Sequence, residues 1–115
     1  MRREEMAERT KKFALRVIRL VSKLPKSDVC RVIGGQLLRS GTSVGSNYRE
    51  AARCGTRKHF ASTMTIALRE ADETLYWLEL LGESETVKVS LLKDLINECG
   101  QLVAILAASV KTATK

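Results

Sequence analysis

The chain has 115 residues, with 20 Lys or Arg against 13 Asp or Glu and a formal net charge of +7. That length suits one domain spanning 1–115 and leaves little room for a second. One proline, seven glycines and no run of 18 apolar residues argue against a many-turned β fold and against a membrane span. The stretch Met1-Arg2-Arg3-Glu4-Glu5 has no apolar core, so a secretory signal is not expected and a cytoplasmic location is.

The first helix is expected over about 4–24. Phe13, Val17, Leu20 and Leu24 recur at helical spacing, and Leu15, Ile18 and Val21 broaden the apolar stripe. Pro25 stops it. Ser27 or Asp28 caps the second helix, about 27–54. Its ridge runs Ile33, Leu37, Ser40, Val44, Asn47, Ala51, and the stretch also holds Gly34, Gly35, Gly41 and Gly45. Each glycine costs about 1 kcal/mol against alanine inside a helix. The apolar phase is kept across them, which favours one continuous helix. Small residues at Gly41 and Gly45 then admit another helix closely, from the same chain or from another.

Gly55 and Thr56 connect to the third helix, about 57–81, with Thr56 as its cap. Phe60, Met64, Ala67, Ala71, Thr74, Leu78 and Leu81 make a bundle seam at spacings of four and three. Gly82 is read as the C-terminal cap. The fourth helix is expected over about 90–111, with Leu92, Leu95, Cys99, Val103, Leu106 and Val110 as its seam, and 111–115 fraying. Four helices with short connections make an all-α, antiparallel up-down four-helix bundle.

Charge is unevenly spread. Residues 1–58 carry 15 Lys or Arg against 5 Asp or Glu, and residues 59–115 carry 5 against 8. A basic half suits a polyanion, with nucleic acid the usual one, and suits equally a solvated surface or pairing with the acidic half in an oligomer. The candidate nucleic-acid contacts are Lys12, Arg16, Arg19 and Lys23 on the first helix, then Arg49, Arg53, Arg57 and Lys58. Arg49, Arg53 and Arg57 form an i, i+4, i+8 row if the helix runs that far. Such cations contact phosphate without reading sequence, and no helix-turn-helix or basic zipper is present. Five aromatic residues give little platform for base stacking.

Cys30, Cys54 and Cys99 form no C-x-x-C pair and are read as reduced packing residues. No metal site and no cofactor are expected. His59, beside Arg57 and Lys58, is read as a surface residue. Glu70 and Glu73 lack a nucleophile, a histidine partner and the Glu-x-x-His pattern of bundle metal sites. The expectation is that Arg39 pairs with one of them as a buried pair that sets helix register. Ser40 and Asn47 on the ridge are read as buried hydrogen-bonding groups reaching a neighbouring helix. Tyr76 and Trp77 lie off the main seam, which suits a subunit interface if they are exposed.

The run Gln36-Leu37-Leu38-Arg39-Ser40-Gly41-Thr42-Ser43-Val44-Gly45-Ser46-Asn47-Tyr48-Arg49-Glu50-Ala51 resembles the signature of the four-helix-bundle proteins encoded in intervening sequences of bacterial 23S ribosomal RNA genes. The likeness continues through Phe60, Ala67, Glu70, Glu73 and Tyr76-Trp77-Leu78, and includes Leu24-Pro25. It implies a protomer assembled into a ring-like homo-oligomer, commonly a pentamer, and brings no established enzymatic activity. It also implies kinship in architecture with accessory proteins of diversity-generating retroelements, which bind nucleic acid and a reverse transcriptase. The motif carries to Arg39, Ser43, Asn47, Glu50, Glu70, Glu73, Tyr76 and Trp77, in structural or interface roles. The family habit would give a more acidic helix start than Val87-Lys88-Val89-Ser90.

The functional expectation is therefore a non-catalytic homo-oligomer that binds RNA or DNA through basic surfaces. The alternative is a protein-interaction module, or an accessory subunit of a nucleic-acid enzyme, without direct nucleic-acid binding. Neither reading calls for a membrane or a small-molecule substrate.

Overall fold

The structure is a computed structural model that describes residues 2–115; Met1, part of the stretch read above as non-secretory, lies outside them. Among the described residues the chain forms four helices: α1 (Arg3–Ser22), α2 (Asp28–Ala52), α3 (Arg57–Glu83) and α4 (Val89–Ala113). Every boundary falls within two residues of its sequence expectation. No described helix is long and apolar enough to cross a membrane.

Local chemistry sets the ends. The Ser27 hydroxyl accepts from the Cys30 backbone N–H at 3.1 Å, and Thr56 accepts from His59 N–H at 3.1 Å. Each satisfies a donor that helix geometry leaves free. α1 starts without a side-chain cap but carries Glu4 and Glu5 in its first turn, where carboxylates meet the positive end of the helix dipole. α4 also lacks a side-chain cap. Instead Val87, just before its N-cap Lys88, is buried with Leu92 in the core, the positions of a hydrophobic staple.

Two ends differ from expectation. Gly82 does not cap α3: the helix runs on to Glu83, and the left-handed residue is Glu85, with φ 60°. Gly82 is small because α4 passes over it, where an added Cβ would lie 3.4 Å from Leu92. α4 does not fray at residue 111, because the Arg57 guanidinium donates to the carbonyls of Thr112 and Ala113 at 3.0 and 3.1 Å. A cation there matches the negative end of the helix.

Consecutive helices run antiparallel. From its N-terminal end α2 meets Val21 at Gly34, Val17 at Gly41 and Thr10 at Gly45, in descending order along α1. α3 meets α2 through Thr74–Ser40 and Thr63–Cys54, and α4 meets α3 through Cys99–Ala71 and Gly82–Leu92. α1 also touches α4, in the sparsest of the four helix contacts. The bundle is 44 Å long and 20 × 19 Å across.

The glycines thus serve a helix of the same chain. An added Cβ on Gly41 would stand 2.8 Å from Val17 Cγ1. The α3 seam is buried as expected save for half-buried Phe60, while the stripes of α1 and α4 change in detail. On α1, Leu15 and Ile18 are exposed and Met6 and Thr10 are buried instead. On α4, Leu102 rather than Val103 is fully buried. Ser40 does meet a neighbouring helix, accepting from the Thr74 hydroxyl at 2.9 Å. Asn47 does not: its amide donates to Ser43 O of its own helix at 2.9 Å.

Candidate interaction surfaces

The motif residues gather on the outer edge of the α2–α3 pair. Ser43 donates to Arg39 O at 2.7 Å and Asn47 to Ser43 O, so their hydroxyl and amide fold back onto α2. Arg39 reaches across to α3. One guanidinium nitrogen donates to Glu70 Oε2 at 2.9 Å and the other to Glu73 Oε2, while its Nε donates to Gln36. The expected pair is therefore a triad with both glutamates. It is not buried: the Arg39 side chain is 47% exposed. An arginine at that position has both carboxylates within reach from the rim of the helix contact and stays half in water.

Trp77 Nε1–H donates to the same Glu73 oxygen at 3.0 Å. This bond, then Arg39 against partial desolvation, holds the Glu73 carboxyl below its ordinary range. Tyr76 packs edge-on against Trp77, ring centroids 5.2 Å apart, and is 53% exposed. Glu50 stands exposed at the end of the edge.

The candidate cations divide into two groups. Arg16, Arg19 and Lys23 lie on one stripe of α1 and border a groove of 830 Å³ against the start of α4. Its floor is apolar, with Leu20, Leu24, Leu91 and Leu95, and its rim adds Lys88 and one carboxylate, Asp94. Lys12 continues the stripe beyond the groove, beside Glu5, Glu8 and Arg9. The α1–α4 contact is closed there by Arg9, whose guanidinium grips both Glu98 oxygens at 2.7 Å and Gln101 at 2.8 Å.

Arg49 and Arg53 lie at the opposite end of the bundle, around an open cleft of 410 Å³ with Ser46, Glu50, Cys54 and His59. Lys58 is exposed nearby. The row Arg49, Arg53, Arg57 is broken. α2 ends at Ala52 and α3 begins at Arg57, so Arg57 turns to the end of α4 and is occupied there. Among the described residues, none of Lys12, Arg16, Arg19, Lys23, Arg49, Arg53 or Lys58 forms a salt bridge.

All three cysteines are free, Cys30 and Cys99 buried and Cys54 partly so. Burial, with Asp72 and Glu98 nearby, pushes the Cys99 thiol up to about 12. No three His, Cys, Asp or Glu side chains among the described residues are placed to hold a metal ion.

Sequence reasoning missed the groove and the Arg9–Glu98–Gln101 lock. Leu91 was the available signal for the groove: it is apolar, one position off the α4 seam, and 70% exposed. Nothing local signals a pair 89 residues apart.

A family model described as 23S rRNA-intervening sequence protein matches residues 2–108. A crystal structure of a protein with unknown function from the S23 ribosomal protein family of Bacteroides thetaiotaomicron VPI-5482 superposes with a TM-score of 0.88. The two are 34% identical, over 96% of this chain and 99% of that one. No curated protein matches.

Proposed function

We propose that this chain, which belongs to the 23S rRNA-intervening sequence protein family, is a non-catalytic scaffold that assembles into a ring of copies and binds RNA or DNA through basic surfaces. The observation that carries the nucleic-acid part is the pair of cation groups left without carboxylate partners, on a chain of net charge +7. Unpaired, solvated cations release phosphate counterions at little cost, whereas paired ones must first break a bond. The end cleft with Arg49 and Arg53, and Lys58 exposed nearby, suits phosphate best, because no large aliphatic side chain lines it, Glu50 being its one carboxylate. Non-specific contact fits this surface, since no Phe, Tyr or Trp lines the cleft and His59 is its one ring.

A second reading is favoured by the α1–α4 groove. Its apolar floor and exposed Leu91 suit a protein surface better than a phosphate backbone. Pull-down from the native cell, with sequencing of bound RNA and identification of bound protein, separates the two. Recovery of protein alone would remove the nucleic-acid reading. Light scattering of the pure chain tests assembly, and a one-chain mass would remove the ring.

A further inference from the structure

Two stripes on diagonally opposed helices, exposed save for half-buried Arg16, carry opposite charge at the same spacing. On α1 and its C-cap the stripe is Lys12, Arg16, Arg19 and Lys23; on α3 it is Asp72, Tyr76, Glu79 and Glu83, each set stepping by four, three and four. Such steps place each set on one side of its helix. Asp72, Tyr76, Glu79 and Glu83 are all exposed. None of the three acids forms a salt bridge among the described residues. They cannot meet the α1 stripe within one bundle, because the core lies between the two helices.

We propose that the α1–α4 groove receives the outer face of α3 from a second copy of this chain, pairing Lys12, Arg16, Arg19 and Lys23 with Asp72, Tyr76, Glu79 and Glu83 in parallel register. This rests on the homo-oligomer part of the proposed function and names the surfaces that meet. Three ion pairs form, and Tyr76 lies against Arg16 as a cation–π pair, its ring over Leu20 on the groove floor. On the groove rim Asp94 is the one carboxylate, and Lys88 adds a further cation.

Parallel register is what a ring requires when its axis runs along the bundle. α1 and α3 point the same way in one chain, so they do in every copy. The heights agree. Val17 packs on Gly41, and Thr74 bonds the adjacent Ser40, which puts Val17 and Thr74 at one level. The charge match departs from that level by three residues, about 4.5 Å along a helix, which a closed ring takes up by leaning its bundles against the ring axis. The contact is heterologous, face to different face, so repetition runs past a dimer and makes a ring where the rotation closes. It also withdraws Arg16, Arg19 and Lys23 from nucleic acid and leaves the end cleft to that role.

Light scattering on three proteins tests this: the wild type, a variant with Arg16→Glu, Arg19→Glu and Lys23→Glu, and a variant with Glu79→Lys and Glu83→Lys. Circular dichroism confirms that each is folded. The wild type should be a multimer, each variant should fall to the 12.8 kDa chain, and mixing the two variants should restore association, since reversed α1 then meets reversed α3. A multimeric wild type whose folded variants keep the same mass would overturn these surfaces while leaving assembly standing. So would monomeric variants that stay monomeric on mixing. A monomeric wild type would overturn assembly itself, and loss of RNA binding without change in mass would assign the α1 stripe to the polyanion.

Discussion

Gly41 of α2 and Val17 of α1 are in contact so close that a single added methyl group would stand 2.8 Å from one Val17 methyl carbon and 2.9 Å from the other. Val17 is β-branched and fully buried, so it has no rotamer into which to retreat. The approach of these two helices is thus set by the absence of one carbon.

Gly41 and Gly35 should respond to alanine with opposite signs. Gly41→Ala gains about 1 kcal/mol of helix propensity but overpacks a rigid site, a cost of about 1–3 kcal/mol, so the net is destabilising. Gly35 has nothing within 4 Å of an added Cβ, and Gly35→Ala should stabilise by up to about 1 kcal/mol. Urea unfolding of both variants checks the pair; stabilisation by Gly41→Ala would contradict the contact.

The Glu73 cluster should show in Trp77 fluorescence. The carboxylate form is favoured in the folded chain by the indole and by Arg39. Its contribution to stability is therefore present above the unfolded glutamate value, about 4.3, and is lost as pH falls through the lower folded value. We expect Trp77 emission and the melting temperature to change together below that value in the wild type, and this step to be absent in Glu73→Gln. An identical acid profile in both proteins would show that the indole–carboxylate bond is not made.

Arg57 should behave as part of the fold and not as a nucleic-acid contact. Arg57→Gln should speed hydrogen exchange in the last turn of α4, where the Thr112 and Ala113 carbonyls lose their donor, and should weaken RNA binding less than Arg53→Gln does. Equal losses of binding would return Arg57 to the row read from the sequence.

Cysteine reactivity should follow burial. The thiolate is the reacting form, and Cys99 is buried, with its thiol pushed up to about 12. Iodoacetamide at pH 8 should label Cys54 first and spare Cys99 until the chain unfolds. Early labelling of Cys99, read by mass spectrometry, would contradict its place in the core.

What could be read from sequence was what depends on neighbours along one helix. Periodicity placed all four helices, and hydroxyl residues before apolar runs placed the caps at Ser27 and Thr56. Ser40 was legible as a departure from an apolar ridge, and Gly41 as a site of close helix approach. The reach of Arg39 to the glutamates of α3 was legible too, but not its exposure, which depends on where the α2–α3 contact ends. Arg9–Glu98 and Arg57–Ala113 were not legible, because each joins residues far apart along the chain that only the packed bundle brings level. Gly82 misled for a related reason: a glycine near a helix end serves a cap or a close neighbour equally well, and here α4 decides.

The most direct test of the scaffold as a nucleic-acid binder is the salt dependence of its affinity for labelled RNA, measured by fluorescence anisotropy between 50 and 200 mM salt, conditions under which phosphate contacts differ most clearly. We expect wild-type binding to fall steeply with salt. The triple variant Arg49→Gln, Arg53→Gln, Lys58→Gln should bind more weakly, its log–log slope shallower by about 2, as for three lost contacts to a single strand. Absence of binding to RNA or DNA at the lowest salt, or an unchanged slope in the triple variant, would contradict the assignment.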